Sequence, residues 1–365
     1  MKWLGIKIKE ISEQNSLNIS QLANKMQVSR KTVYDWINGQ TPKGNHLLKL
    51  CKVLKAQPDD FFSYEKDTPI TIPVHRQRRA SKITIETQNE AYKLSETYLN
   101  LFRNSTTPEI VTVIRDNVKN QKIARAIADK LREKVEIPPE KPMDLRYTFK
   151  LIDELGIHII FKNFPRAIRS YAFYTKIINH RVIFLNNTTK LIDLVFPLLH
   201  ESIHAIRDEV YVAETYDDKE EGFCDLVANF IQFPNSYVKL VYETLQGLDK
   251  GMQINKLKNF ARQNVHSLFC IIKAIKIIYT DFDLNVGAAD SNLRKEFKTI
   301  GHIIYDQSDM LKFLEALKAL SKNFYSVVLS QIQFLSDRNL AQILNLDSVH
   351  DARQIKLELL KLLTD

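Results

Sequence analysis

Apolar positions in this chain fall mostly at helical spacing. In residues 4–62 they come in short bursts separated by cap and turn residues. Ile6, Ile8 and Ile11 open a first helix; Ser20 is placed to cap Gln21–Met26 and Ser29 to cap Arg30–Ile37. Asn38-Gly39 ends that helix with the usual C-terminal glycine signal. Thr41-Pro42 turns the chain, His46–Leu54 repeats the apolar period, and Pro58–Phe62 closes a unit of four or five short helices.

Residues 63–82 lose the period. Pro69 and Pro73 flank an extended stretch, followed by the basic cluster Arg76–Arg79, which reads equally as a phosphate contact or a solvated linker. Helical spacing returns over Glu86–Phe102 and Thr107–Lys134, and Pro138, Pro139 and Pro142 interrupt it. A short helix, Phe149–Leu155, then precedes three segments of β-type composition, Ile157–Phe161, Tyr171–Tyr174 and Arg181–Leu185. Beyond them the spacing predicts helices over Thr189–Ile206, despite Pro197, and over Glu220–Phe233, with an acidic loop between. Residues 236–365 are almost entirely helical by period.

At 365 residues the chain exceeds one ordinary core, so two or three domains are expected. A hydrophobic content of 44% argues against disorder. The most apolar window, Phe269–Tyr279, is broken by Lys273 and Lys276, so no membrane helix is expected. The N-terminus, with Lys2, Lys7 and Lys9, has no signal-peptide core. Cys51, Cys224 and Cys270 cannot all pair within the chain, which suits a reducing cytoplasm. The net charge of +9 is uneven: residues 1–80 hold 14 Lys/Arg against 7 Asp/Glu, whereas residues 200–225 hold 9 acidic residues against 2 basic ones. A basic head and an acidic centre imply different partners.

The candidate chemistry lies in that acidic centre. His200-Glu201-Ser202-Ile203-His204 places two imidazoles one helical turn apart on one face, able to reach one Zn²⁺ ion. Glu201 beside them is the candidate general base for a bound water. Glu221, near the start of the next helix, is the candidate third ligand; Asp225, one turn on, can hydrogen-bond the outer nitrogen of a ligand His. Tyr171, Tyr174, Tyr211 and Tyr216 flank the site without an assigned role. His158 and His180 read as structural. Cys224 reads as a core residue, with a thiolate on the open metal position as the alternative.

These stretches resemble the ImmA/IrrE metallopeptidase family. Val182–Asn186, His200–His204 and Glu221–Ala228 ending at Phe233-Pro234 carry the likeness, supported by Leu151–Pro165 and Ile123–Leu131. It covers about residues 120–280. The resemblance implies that His200, His204 and Glu221 hold zinc and that Glu201 is the catalytic base. Ile203, Pro197, Leu199 and Cys224 depart from the family pattern and alter packing around the motif, not its ligands. Lys256–Ile278 resembles a second, degenerate helix-turn-helix, which in this family packs on the peptidase domain.

In the head, Gln21-Leu22-Ala23, Val28–Val33 and Trp36–Gly39 have a helix-turn-helix layout. Ala23 permits a close helix crossing and Val28 fills the turn. Arg30, Lys31 and Tyr34 are placed to meet bases or phosphates, and Gln40 and Lys43 the backbone. Residues 4–62 resemble the XRE (Cro/C1-type) family, which implies DNA binding.

The expected fold is multidomain and mainly α with an α+β part: an all-α helix-turn-helix head at 1–66, a linker and helix at 67–105, a zincin-like α+β domain with a small sheet at 106–250, and a helical C-terminal region at 251–365. The expected function is a cytoplasmic DNA-binding transcription regulator with a zinc endopeptidase domain that cleaves a repressor under stress or phage-related signals. Its expected partners are double-stranded DNA, a helix-turn-helix repressor as protein substrate and a second copy of the chain, with no membrane. The acidic stretch Asp208–Glu221 suits a basic substrate segment. Two alternatives stand beside this reading: a non-proteolytic regulator whose zincin-like domain binds a ligand or partner, and a toxin–antitoxin component.

Overall fold

The computed structural model describes residues 2–3, 5–15, 17–63, 70–71, 84–105, 113–114, 118–207, 217–307 and 309–363. The Arg76–Arg79 cluster, Tyr211, Tyr216 and the acidic stretch 208–216 lie outside them. The chain divides into two compact units, Met1–Pro69 and Ile70–Asp365.

The first unit contains β1 (Lys2–Trp3), α1 (Ile6–Gln14), α2 (Ile19–Met26), α3 (Arg30–Ile37), α4 (Gly44–Leu54), a 3-10 turn over Pro58–Phe61 and β2 (Phe62–Ser63). One expectation needs correction: the head is not all-α, because β1 and β2 pair antiparallel and join its two ends. The predicted Ser20 cap is instead Asn18, whose side chain accepts from the Gln21 N–H at 2.9 Å while the Gln21 side-chain oxygen accepts from the Asn18 N–H. Ser29 does cap α3, accepting from the Thr32 N–H at 3.1 Å. Ile8, Leu22, Ala23, Met26, Val33, Trp36, Leu50 and Phe61 form the core. Gly5 is required there: a Cβ on it would stand 2.1 Å from the Trp36 carbonyl oxygen, an impossible contact with backbone.

The second unit begins with β3 (Ile70–Thr71), α5 (Ile85–Glu96), α6 (Leu99–Arg103), α7 (Gln121–Lys134) and α8 (Leu145–Glu154). Helix α7 starts at Gln121, where Asn120 caps it by accepting from the Ile123 N–H at 2.9 Å; of the residues ahead of it that were expected to be helical, 113–114 and 118–120 are not, and the rest lie outside the described residues. Then come β4 (His158–Lys162), β5 (Ala172–Ile177) and β6 (His180–Asn186). The sheet order is β3-β5-β6-β4. The pairs β3–β5 and β5–β6 are antiparallel, with Phe173 opposite Phe184; β4–β6 is parallel, with Ile160 opposite Phe184. His180–Leu185 is buried throughout, as expected of a central strand covered on both faces.

The remaining elements are helical: α9 (Val195–Arg207), α10 (Asp218–Gln232), α11 (Asn235–Leu245), α12 (Lys250–Asn264), α13 (Leu268–Ile278), α14 (Gly287–Lys295), α15 (Ile300–Tyr305), α16 (Met310–Leu320), α17 (Lys322–Gln331), α18 (Asp337–Leu344) and α19 (Val349–Lys361). Helix α9 lies against β5 and β6, and α17 against β4. Helices α15–α19 share the core of the sheet, whereas α11–α14 close a second apolar cluster around Val241, Leu257 and Ile275. Among the described residues, no helix is long and apolar enough to cross a membrane.

Candidate functional site

Helix α9 starts one residue after a 3-10 turn over Leu191–Asp193. Pro197 sits in its first turn, where no intrahelical N–H is needed, so it does not break the helix. Leu198, Leu199, Ile203, Ala205 and Ile206 are fully buried and fix the helix against its neighbours. His200 and His204 thereby face the same way, with Nε2 atoms 3.0 Å apart. Helix α10 starts at its Asp217 cap, and Glu221 follows on the buried side. The Glu221 carboxylate reaches His200 Nε2 at 3.4 Å and His204 Nε2 at 3.3 Å. Among the described residues, these three are the one group of His, Cys, Asp or Glu able to share an ion, with ligand atoms within 4.8 Å of one another.

The surroundings are strongly anionic. His200 Nδ1 lies 3.0 Å from Asp225 Oδ1, and the other Asp225 oxygen is 2.9 Å from Lys273 Nζ. Burial by itself would discharge His200. The hydrogen bonds to Asp225 and Glu221 and the charge of Glu201 outweigh it and raise its pKa to about 10. Burial would likewise protonate Asp225, but His200 and then Lys273 hold its pKa at about 2. A pocket that retains a proton so firmly has a potential suited to a cation.

Glu201 is buried, and its Oε2 accepts from the backbone N–H of Tyr174 at 2.8 Å. The contribution of Tyr174 is thus through its main chain, on strand β5. Cys224 lies on the outer side of His204, with Sγ 3.6 Å from Nδ1. Burial first, and the charge of Glu220 next, raise its thiol pKa well above the ordinary value. The thiolate alternative is therefore unsupported, since the sulfur faces the wrong ring nitrogen. His158 and His180 meet each other at 3.1 Å and are not part of the cluster.

Glu220 and Glu221 lie in α10, as expected of the helix over Glu220–Phe233. Glu220 is buried in α10, bonded by Arg207 from α9, and Lys119 lies 3.0 Å from both Glu220 and Asp217. Burial opposes the Glu220 charge, yet Arg207 and Lys119 keep its pKa below the usual carboxylate value. Of the acidic stretch expected to suit a basic segment, residues 217–221 are described: Asp217 caps α10 and Asp218 is exposed, whereas Glu220 is engaged by Arg207 and Glu221 faces the His cluster, so the last two are buried away from a substrate. Sequence reasoning missed Arg207, Lys119, Lys273 and the Tyr174 amide. Arg207, three residues after His204, could have been suspected; Lys273, 48 residues from Asp225, carries no sequence signal.

In the head, Ala23 is buried at the α2–α3 crossing, and Gln27 turns the chain in the left-handed region at φ 57°. Val33 and Trp36 anchor α3 inward. Arg30, Lys31, Tyr34, Gln40 and Lys43 are all exposed, as a surface that meets DNA requires. No curated protein and no solved structure matches the chain. Residues 7–67 match the family model of the Cro/C1-type helix-turn-helix DNA-binding domain. The chain therefore carries a DNA-binding domain of that type, with double-stranded DNA as the partner it supports.

Proposed function

We propose that the chain is a transcription regulator whose second unit is a zinc endopeptidase resembling the ImmA/IrrE family, acting on a repressor-type protein. The observation that carries this reading is the convergence of His200, His204 and Glu221. Ligands about 2.0–2.1 Å from a tetrahedral zinc ion stand roughly 3.3 Å from one another. The separations here are 3.0, 3.3 and 3.4 Å, so the donor set fits the ion. A bound zinc ion would supply Lewis-acid polarisation of a carbonyl and acidify a water to a pKa of about 7.

The chain's own residues divide the remaining work. Asp225 accepts from His200 Nδ1, so the proton lost on metal binding is the one on Nε2, the nitrogen that faces Glu221 and His204. The Tyr174 N–H holds one Glu201 oxygen. Glu201 thus keeps a fixed position from which its carboxylate takes a proton from the attacking water and hands it to the leaving amine nitrogen. The Arg207–Glu220 ion pair ties α9 to α10, keeping the two His and Glu221 in register.

The test combines metal content with proteolysis. Wild-type protein should bind one zinc per chain and cleave a co-encoded helix-turn-helix repressor. His204→Ala should lose stoichiometric zinc. Glu201→Gln should keep zinc and DNA binding while proteolysis falls by about 10²–10⁴-fold. A wild-type protein that takes up no zinc refutes the metal site. Equal promoter regulation in cells by wild type and Glu201→Gln would leave the non-proteolytic DNA-binding regulator as the reading.

A further inference from the structure

The second unit holds a cleft of about 400 Å³ that the peptidase reading does not use. It opens beyond the carboxyl ends of the parallel strands β4 and β6, the end of such sheets where ligands commonly bind. Asn163 and Asn187, which follow those strands, form one wall; Asp306 after α15, and Asp347 and Asp351 at the α18–α19 corner, form another. Met310 and Phe313 add an apolar side.

Three features of this cleft point to one kind of ligand. First, its described lining contains three carboxylates and no Lys or Arg. The nearest ion-pair partner of Asp306 is His302, at 3.9 Å. Second, Asn187 is 94% buried, and its Oδ1 has no hydrogen-bond partner among the described residues. The residue is held from behind by its main chain, because the Gly301 N–H donates to the Asn187 backbone carbonyl at 3.0 Å and a Cβ on Gly301 would stand 2.8 Å from that backbone oxygen. A buried acceptor left without a donor costs free energy that a ligand N–H would recover. Third, the cleft carboxylates are not close enough to share a metal ion, since the His200 group is the one such cluster among the described residues. Spread acceptors around a space of this size suit several N–H donors on a stem, rather than a point charge.

We propose that this cleft binds a small organic cation, an amine or guanidinium on a short aliphatic stem. Its charged ends meet Asp347, Asp351 and Asp306, one N–H satisfies Asn187, and the stem lies on Met310 and Phe313. The size lies within the range of ordinary small-molecule sites. The proposal is independent of the zinc reading. Its wall is nevertheless the segment leading into α9, through the Ile300 N–H bond to the Thr189 carbonyl at 2.9 Å.

The experiment is calorimetric titration of the full chain at constant ionic strength with four probes: putrescine, agmatine, neutral 1,4-butanediol and anionic succinate. Saturable one-to-one binding is expected for putrescine or agmatine and none for the other two. Which of the two binds more tightly separates amine from guanidinium. Asp347→Asn/Asp351→Asn should weaken binding about tenfold or more, the loss expected of charge-assisted hydrogen bonds. Asp306→Asn gives a second reading if the double variant does not fold. Asp281→Asn/Asp283→Asn, outside the cleft lining, should leave affinity unchanged. Absence of saturable cation binding, equal binding of the diol or succinate, no change in the cleft variants, or equal weakening by Asp281→Asn/Asp283→Asn overturns the proposal.

Discussion

The α2–α3 corner of the head and the α12–α13 corner of the second unit are built alike and used differently. Each places a buried alanine, Ala23 or Ala261, four residues before a left-handed residue, Gln27 at φ 57° or Val265 at φ 58°. Each next amide bonds back to that alanine's carbonyl, Val28 at 3.1 Å and His266 at 3.0 Å. Each second helix is capped by a serine, Ser29 on Thr32 and Ser267 on Cys270. In the head, the first turn of the second helix carries exposed Arg30 and Lys31. In the second unit the helix is inward-facing: Leu268, Ile271, Ile272, Ala274 and Ile275 are buried, and Lys273 is engaged by Asp225. Local residues make the corner. Packing decides whether its second helix can read a groove or instead supports a site.

The strongest test of the contrast removes one corner. Deleting residues 1–69, the whole first unit, should abolish DNA binding in a gel-shift assay and leave zinc content unchanged, because the units have separate cores. Binding by the intact chain should weaken steeply with added salt through counterion release. DNA affinity surviving the deletion would place the reading surface elsewhere.

A matched pair of variants sharpens it. Ala23→Leu and Ala261→Leu each force a side chain into a closed crossing, at a cost of about 1–3 kcal/mol. The first should lower the unfolding midpoint of the head and DNA affinity, with zinc unaffected. The second should lower the stability of the second unit, with DNA binding retained. Identical effects of the two on both readouts would show that the corners are not independent.

At the site itself, Asp225→Ala should weaken zinc affinity by roughly 10- to 100-fold. Lys273→Met, one bond further out, should have a smaller effect in the same direction. Competition with a zinc chelator measures both. A larger effect at Lys273 than at Asp225 would invert the order of support inferred from the 3.0 and 2.9 Å contacts.

The smallest effect expected is with pH. Burial lowers the pKa of His158 and of His266 to about 3 and lowers that of His180 as well. The unfolded chain therefore binds more protons than the folded one between pH 3 and about 6.5, so stability is lost as pH falls through that window. Asp153 acts oppositely, because burial raises its pKa to about 6 and it favours the fold as pH drops from 6 toward its ordinary value of 3.8; metal-free His200, held at about 10 by Asp225 and Glu221, adds a smaller gain as pH falls toward 6.5. The three buried histidines of lowered pKa outweigh these two groups. Urea unfolding of the metal-free second unit should show a net loss on the order of 1–2 kcal/mol between pH 7 and 5. Unchanged stability would mean that these rings are protonated in the folded protein.

Much of this was legible along the chain. His200, Glu201 and His204 share a helix because spacing alone puts positions one turn apart on one face. Glu221 and Asp225 do the same on the next helix. Ser29, Gly39 and Pro234 mark ends through local chemistry that needs no distant partner. Apolar Val113, Ile114 and Val118 continue the helical period ahead of Asn120, but α7 begins where the Asn120 side chain caps it.

The sequence by itself determined the helical corners, the serine and asparagine caps, the basic character of the head and the one-turn spacing of the candidate ligands, because each depends on residues close together in the chain. Only the tertiary structure decided the rest. The parallel pairing of β4 with β6, the Tyr174 amide on Glu201, Lys273 on Asp225, the burial of α13 and the carboxylate-lined cleft all join residues far apart in the chain. Such contacts arise when separate apolar faces find a common core, and no local period records which faces will meet.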